Sequence, residues 1–206
     1  MKFKSPFTCI VSGGTGSGKT EWVKRLIHHR RHMINPPPRY VLFCYGELNN
    51  SILELKGWEG VETFHGFPPE EMLRKHPDML LVLDDLMVDL DKNLRVMNTV
   101  FTRGSHHWRV SVIFIAQNIF HKDLRMLKSN THLIVLMRNP QNASQIRTLA
   151  SQMFPIKRAF FIEAYEDATS SPFSYLLVDS HPQTPDTERL TTKIFPGEKQ
   201  IYYVPI

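Results

Sequence analysis

The chain has 206 residues, of which 42% are hydrophobic, and this suffices for one domain with a substantial core. Its net charge of +5 suits a polyanionic partner such as nucleic acid, although charge alone leaves an ordinary basic protein equally open. Cys9 and Cys44 each lie in an apolar run, which argues against a disulfide framework and favours buried thiols in a reducing compartment. No apolar run is long enough to span a membrane, and residues 1–6 leave no room for a signal peptide, so we expect a soluble intracellular protein.

Strand-like and helix-like segments alternate along the chain, which predicts a mainly parallel β-sheet covered by helices. The first predicted elements are strand Phe7–Val11, helix Lys19–Met33, strand Tyr40–Tyr45, helix Ser51–Leu55, an extended piece at Val61–Phe64, helix Glu70–Lys75 and strand Met79–Leu83. The later ones are helix Lys92–Thr102, strand Val110–Ala116, helix Lys122–Leu127, strand Leu133–Met137, helices Ala143–Gln152 and Ala159–Glu166, strand Tyr175–Val178, and short edge strands at Arg189–Phe195 and Ile201–Val204. No break in composition divides the chain, so we expect one domain, 1–206, in which residues 151–206 pack on a core formed by residues 1–150.

The most informative segment is a glycine-rich stretch between the first predicted strand and the first predicted helix. It matches the phosphate-binding P-loop pattern (Walker A), and its residues are Gly13, Gly14, Thr15, Gly16, Ser17, Gly18, Lys19 and Thr20. Successive backbone N–H groups of such a loop point at one anion, and the helix N-terminus adds partial positive charge. We expect Lys19 to reach the β- and γ-phosphates of a nucleotide and the Thr20 hydroxyl to bind Mg²⁺.

Polar residues follow two later strands that should end at the same edge of the sheet. Asp84 and Asp85 follow an apolar run, as in a Walker B element. We therefore expect Asp84 to bind Mg²⁺, directly or through water, and Asp85 to orient and polarise the attacking water. One strand intervenes between the P-loop and this run, which fits an α/β P-loop NTPase with core strand order 5-1-4-3-2. In that fold Gln117, at the tip of the next strand, is placed to contact the γ-phosphate and the lytic water. No Asn-Lys-x-Asp segment is present, so GTPase chemistry is disfavoured.

Four further segments contribute to a family resemblance that runs over nearly the whole chain. They lie at residues 102–107, 114–120, 149–155 and 164–169. Together with the two Walker segments they resemble the FtsK/HerA class of P-loop motor ATPases. More narrowly, the chain is similar to the genome-packaging ATPases of Polinton/Maverick elements, adintoviruses and related double-stranded DNA viruses. The Walker segments indicate only the superfamily, whereas the Ser-His-His and Ala-Gln-Asn-Ile-Phe sequences carry the narrower resemblance.

The resemblance implies a motor that uses ATP and Mg²⁺ to move double-stranded DNA, independently of its sequence, into a capsid. Its partners would be DNA, further copies of the chain in a homo-oligomeric ring, and a capsid protein, in the host nucleus or cytoplasm or in the virion. It also implies an arginine supplied across a subunit boundary to stabilise charge on the transferred phosphoryl group. Arg103, Arg138 and Arg147 are the candidates, and Arg103 is preferred because it precedes the strand that leads to Gln117.

Two other functions remain open at this level. A P-loop nucleotide kinase would need an acceptor pocket and an arginine-rich lid, whereas Asp85 and Gln117 suit the activation of water better. A non-hydrolysing module that uses nucleotide binding to order an interface would have no need of the second acid, Asp85. Phosphoryl transfer to a nucleotide would favour the first alternative, and ATP binding without turnover would favour the second.

Overall fold

The computed structural model describes residues 1–87, 90–101, 108–120, 124–140 and 143–205, and within these ranges the chain folds around one large β-sheet. The strands are β1 Phe3–Lys4, β2 Thr8–Ser12, β3 Ile34–Asn35, β4 Val41–Tyr45, β5 Val61–His65, β6 Leu80–Asp84, β7 Ser111–Ala116, β8 Leu133–Met137, β9 Tyr175–Asp179, β10 Leu190–Thr192 and β11 Ile201–Tyr202. The helices are α1 Lys19–His28, α2 Arg30–Met33, α3 Asn50–Leu55, α4 Glu70–Lys75, α5 Leu90–Thr99, α6 Arg125–Ser129, α7 Ala143–Met153 and α8 Arg158–Ala168.

The large sheet has the strand order β11-β10-β9-β8-β2-β7-β6-β4-β5, and all its pairings from β8 to β5 are parallel. Numbered as in the prediction, the five core strands therefore follow the order 5-1-4-3-2, which confirms the predicted fold class. The P-loop strand β2 lies between β8 and β7, and β6 lies on the far side of β7. In an open parallel sheet, ligands bind outside the carboxyl ends of the strands, so this order brings the segments after β2, β6 and β7 to one edge.

Both faces of β2, β4, β6, β7 and β8 are buried, which explains why these strands read as continuous apolar runs, whereas the edge strand β5 is partly exposed. Ile10 and Phe114 contribute to the hydrophobic core on the face covered by α5, α7 and α8. Val11 and Phe43, pointing the other way, contribute to a second core that includes the apolar side of α1. Successive side chains of a strand point to opposite faces, so each strand stabilises both helical layers. No helix in the described ranges is both long and apolar enough to cross a lipid bilayer.

The first helix is shorter than predicted, because α1 ends at His28 and a separate short helix, α2, follows. His29 leaves the helical conformation, with φ −92° and ψ 11°. The apolar spacing of α1 does not continue into α2, and the Arg30 guanidinium donates to the Ile27 carbonyl at 3.0 Å, satisfying an oxygen near the break. The prediction of one helix as far as Met33 was wrong, since it extended the segment through a run of basic residues with no apolar face.

The C-terminal segment adds strands to the edge of the same sheet, as predicted, and the structure shows that they pair antiparallel. β9 pairs with β8, so that Tyr175 lies opposite Met137, and β10 and β11 follow. β10 is shorter than predicted because the chain leaves the sheet before Phe195, whose ring packs edge-on against Trp22 with centroids 5.5 Å apart. The Ile194 N–H donates to the Tyr175 hydroxyl at 2.9 Å instead of joining the strand ladder.

A two-residue parallel pairing of β1 with β3 forms a second, small sheet that the sequence did not predict. Phe3 lies opposite Ile34, and both side chains are buried. Segments this short carry no periodic signal, so their pairing depends on the tertiary fold rather than on local preference.

Both cysteine thiols are buried in the sheet, which leads to the first testable prediction. Burial raises the pKa of the thiols of Cys9 and Cys44 well above the usual range, so neither forms an appreciable thiolate fraction near neutral pH. We expect the native protein to resist a water-soluble disulfide reagent at pH 8 and both thiols to react within minutes in denaturant. Fast labelling of the native protein, quantified by mass spectrometry, would contradict the burial of these strands.

Candidate active site

The glycine-rich loop joins the carboxyl end of β2 to the N-terminus of α1. Gly18 precedes the first helical residue in the left-handed region, with φ 94° and ψ 17°, a conformation that costs a glycine little and other residues much more. The Gly13 N–H donates to the Ala116 carbonyl at 3.3 Å, which ties the start of the loop to the end of β7. The loop thus begins at the edge where β2 and β7 end together.

Several backbone N–H groups of the loop make no hydrogen bond within the described residues. Those of Thr15, Gly16 and Gly18 are among them. The Lys19 ammonium donates to the carbonyl oxygens of Gly13 and Gly14, at 2.9 and 2.8 Å, and so folds back across the loop. Such a concave set of donors at a helix N-terminus is suited to bind an anion, and Lys19 would exchange its carbonyl partners for the anion's oxygens.

A direct hydrogen bond joins the P-loop helix to β6. The Thr20 hydroxyl donates to Asp84 Oδ2 at 2.8 Å, although the two residues are 64 positions apart in the sequence. The Asp84 carboxyl group is largely buried at the end of its strand, with 8% of the residue exposed. One hydroxyl and one carboxylate therefore meet at the rim of the loop, and both are the hard oxygen ligands that Mg²⁺ prefers.

Burial has the largest effect on the pKa values of Asp84 and Lys19. It raises the pKa of Asp84, an effect strengthened by the neighbouring charge of Asp85 and opposed by the Thr20 hydrogen bond and the Lys19 charge. Burial also lowers the pKa of Lys19, and here the charges of Asp84 and Asp85 act in the opposite direction. The site thus holds one acid, Asp84, and one base, Lys19, at a cost in desolvation, a pattern common at functional sites.

This cost leads to a prediction for Asp84→Asn in the absence of nucleotide and metal. The folded-state pKa of Asp84 lies above its unfolded value, so ionisation at neutral pH destabilises the fold. We expect the variant to have a higher Tm than the wild type at pH 7. The difference should shrink as pH falls and vanish below about pH 4, where the side chain is protonated in both states. A lower Tm for the variant at pH 7 would contradict the described burial.

Asp85 follows Asp84 with its side chain exposed and its backbone in the left-handed region, at φ 56°. Gly46, the residue after β4, lies directly against it. A Cβ built on Gly46 would lie 2.2 Å from the Asp85 carbonyl oxygen, so no other residue fits there without moving the backbone. Gly46 also donates to the Asp84 carbonyl at 3.0 Å. Sequence reasoning missed Gly46, and the only available signal was a glycine at the end of a buried strand.

Gly46→Ala should therefore displace Asp85 while leaving the phosphate loop intact. We expect kcat for nucleotide hydrolysis to fall by at least about 10-fold, because small misplacements of reacting groups cost this much or more, with little change in nucleotide Kd. Gly57→Ala is the matched control, since a Cβ there would lie 3.7 Å from the nearest atom, an ordinary contact. Equal kinetics for the two variants would show that this backbone approach does not position Asp85.

Gln117 directly follows β7, one residue beyond the Ala116 that pairs with Ser12. Its side chain is exposed at the same edge of the sheet as the P-loop and Asp84. The structure thus brings Gln117, the loop, Asp84 and Asp85 to one edge, as the sequence predicted for their positions. Their chemical roles stay predictions.

Two of the three candidate arginines, Arg138 and Arg147, lie within the described residues. Arg103 lies outside the described residues. Arg138 and Arg147 are both exposed and line one cleft of about 370 Å³ beyond the end of β8. Asn139, which sequence reasoning missed, lies at the rim of the P-loop, with its Oδ1 3.4 Å from a Cβ built on Gly14. Any role of these arginines across a subunit boundary remains a prediction.

Comparisons with known proteins agree with the geometry at the level of fold. No protein-family profile and no curated protein matches the sequence. The cytoplasmic domain of the type VII secretion ATPase EccC of Thermomonospora curvata aligns with a TM-score of 0.59 and 15% identity over 86% of this chain. The alignment covers only 24% of the EccC chain.

Two solved structures match over nearly their whole length. The genome packaging NTPase B204 of Sulfolobus turreted icosahedral virus 2, solved with ATP-γS, aligns with a TM-score of 0.53 and 13% identity over 98% of both chains. The KaiC-like protein PH0186 of Pyrococcus horikoshii OT3 aligns with a TM-score of 0.53 and 14% identity, over 98% of this chain and 92% of that one. At these identities the likeness shows the fold alone, which is the α/β fold of P-loop NTPases.

Proposed function

We propose that this chain binds ATP together with Mg²⁺ and hydrolyses it at the carboxyl edge of the sheet. The observation that carries the proposal is the 2.8 Å hydrogen bond between the Thr20 hydroxyl and Asp84 Oδ2. It joins the two halves expected of an NTPase site, a loop for phosphate and an acid for metal, at one point. A chance P-loop pattern would not require an acid from a distant strand at that position.

Each residue of the edge has a role that follows from its chemistry. The P-loop N–H groups and Lys19 bind the phosphates, and Thr20 and Asp84 hold Mg²⁺, which uses few protein ligands when phosphate oxygens supply others. The oxygen donors present fit that ion. When bound, Mg²⁺ neutralises negative charge on the β- and γ-phosphates.

Hydrolysis needs a positioned water molecule as well as bound phosphate. Asp85, exposed beside Asp84, accepts a hydrogen bond from the attacking water and relays its proton to solvent. The water oxygen forms a bond to the γ-phosphorus while the bond from that phosphorus to the β–γ bridging oxygen breaks, releasing ADP and phosphate. The Gln117 amide donates to a γ-phosphate oxygen and accepts from the water, which couples phosphate binding to water placement.

We further infer that hydrolysis drives the translocation of double-stranded DNA and the packaging of a viral genome by a homo-oligomeric ring. The support is the resemblance of the motif segments to FtsK/HerA-class packaging ATPases and the likeness of fold and length to B204, described as a genome packaging NTPase. The net charge of +5 suits a DNA partner. Residues 1–206 would act as one ATPase domain, with Arg103, Arg138 or Arg147 completing the site of a neighbouring copy and a capsid protein as the docking partner.

The test is ATP hydrolysis by the purified protein with and without duplex DNA at several salt concentrations. We expect basal hydrolysis, stimulation by duplexes of unrelated sequence, and loss of stimulation as salt rises, because binding depends on backbone phosphates. Sedimentation with an ATP analogue and DNA should show a closed oligomer. Hydrolysis that DNA never stimulates would overturn the motor proposal but not the ATPase, and an oligomer without hydrolysis would overturn both.

A further inference from the structure

An exposed aromatic ring lies against the P-loop and takes no part in the core. Phe173 belongs to the loop at residues 170–174, between α8 and β9, and 69% of the residue is exposed. A Cβ built on Gly18 would lie 2.9 Å from Phe173 Cδ1, so the ring covers the last glycine before Lys19. The ring therefore stands at the rim of the anion-binding loop with most of its surface open to a ligand.

The backbone of Phe173 is held in an unfavourable conformation. Its φ is 61°, in the left-handed region that bulky side chains rarely adopt. Because the ring is exposed, the free energy of burying it cannot offset the cost of this backbone conformation. Strained residues of this kind concentrate at ligand-binding positions. A short turn surrounds it, in which Ser174 donates its N–H to the Ser171 carbonyl at 3.3 Å.

The strand order indicates that the ring would contact the nucleoside end of a nucleotide rather than its phosphates. Asp84 follows β6, which lies on one side of the P-loop strand β2, with β7 between them. Phe173 precedes β9, which lies on the other side of β2, beyond β8. If the γ-phosphate lies toward Thr20 and Asp84, the nucleoside leaves the loop toward Phe173. Asn139, at the rim of the P-loop, and Ser170, in the loop that carries Phe173, both line an open cleft, so the structure leaves free space on this side of the P-loop.

We propose that Phe173 is the platform on which the purine base of the nucleotide stacks. The inference rests on the proposed function and names the part of the site that binds the nucleoside. Every base presents a π-face, so stacking would tolerate adenine and guanine alike. Phe173 would then set affinity for nucleoside triphosphates over bare polyphosphate, and would contribute little to the choice between ATP and GTP.

The experiment compares the binding of a non-hydrolysable ATP analogue with that of inorganic tripolyphosphate by calorimetry. For Phe173→Ala we expect the Kd of the analogue to rise about 10-fold, within the range that alanine substitution gives for base stacking, and the Kd of tripolyphosphate to stay within 2-fold. Phe173→Tyr should bind both ligands as the wild type does. Phe173→Gly relieves the backbone strain while removing the ring, so it should match Phe173→Ala if the ring is what matters.

Ile156→Ala is the control for loss of an exposed apolar side chain, since Ile156 is 96% exposed, and it should change neither Kd. Phe173→Ala weakening both ligands equally, or neither, would overturn this inference and leave the proposed ATPase standing. A wild-type protein that binds neither ligand would overturn the proposed function and this inference together. Recovery of binding in Phe173→Gly would assign the effect to the backbone and so contradict stacking.

Discussion

Lys19→Met is expected to reduce kcat/KM for ATP hydrolysis by about 10³-fold, the loss that follows removal of one preorganised donor to developing negative charge. The substitution keeps much of the aliphatic stem and removes the ammonium, which lies across the loop in contact with the Gly13 and Gly14 carbonyls. In the bound state that charge would face the β- and γ-phosphates. The partly buried position of the ammonium would strengthen its attraction to them. Steady-state phosphate release over a range of ATP concentrations measures the effect.

Lys199→Met is the matched control, because Lys199 is an exposed residue between the edge strands β10 and β11 and the same charge is lost. It should retain wild-type kinetics. Circular dichroism should show that both variants stay folded, so that the loss belongs to the site. Full activity in Lys19→Met would mean that the loop does not bind the phosphates of the hydrolysed nucleotide.

Asp85→Asn should reduce kcat by about 10³-fold while ATP still binds, because the amide cannot accept a proton from the attacking water. Asparagine tolerates the left-handed conformation that Asp85 adopts, so the backbone at φ 56° should stay in place. Single-turnover hydrolysis measures the chemical step, and equilibrium binding of an ATP analogue measures the ground state. A slower single turnover with an unchanged Kd for the analogue would assign Asp85 a role in catalysis rather than in binding.

Asp78→Asn offers a close control at the other end of the same strand. Asp78 also lies in the left-handed region, at φ 62°, and forms an exposed ion pair with Arg109 at 2.8 Å, which contributes little to stability. We expect near wild-type turnover from it. A comparable loss of kcat in both variants would assign the effect to the folding of β6 and its flanks rather than to the chemistry of Asp85.

The sequence predicted the parts of this molecule whose signals are local and strong. The apolar runs that became β2, β4, β6, β7 and β8 are buried on both faces, so each stood out without any tertiary information. The P-loop pattern located Lys19 and Thr20, and the strand predicted at Tyr40–Tyr45, which became β4, led to the core strand order that the structure shows, with β5 added at the edge. With the order known, the meeting of Thr20 and Asp84 at one edge followed from topology.

What the sequence did not predict depends on contacts between distant segments. Gly46 matters because the Asp85 backbone passes over it, and nothing in the surrounding residues marks that approach. No sequence signal distinguishes Phe173 from other aromatic residues in loops. Its position beside Gly18 depends on the pairing of β9 with β8. The break at His29 was missed because helical periodicity over residues 19–27 was extended into a basic run that carries no apolar face.

Crystals grown with Mn²⁺ in place of Mg²⁺ and a non-hydrolysable ATP analogue give the most direct measurement of how this edge works. The arrangement predicts an anomalous scattering peak beside Thr20 Oγ1 and the Asp84 carboxylate, with the β- and γ-phosphates at the loop of residues 13–18. A nucleotide bound elsewhere, or a metal peak distant from both Thr20 and Asp84, would contradict the proposal that this edge of the sheet hydrolyses ATP.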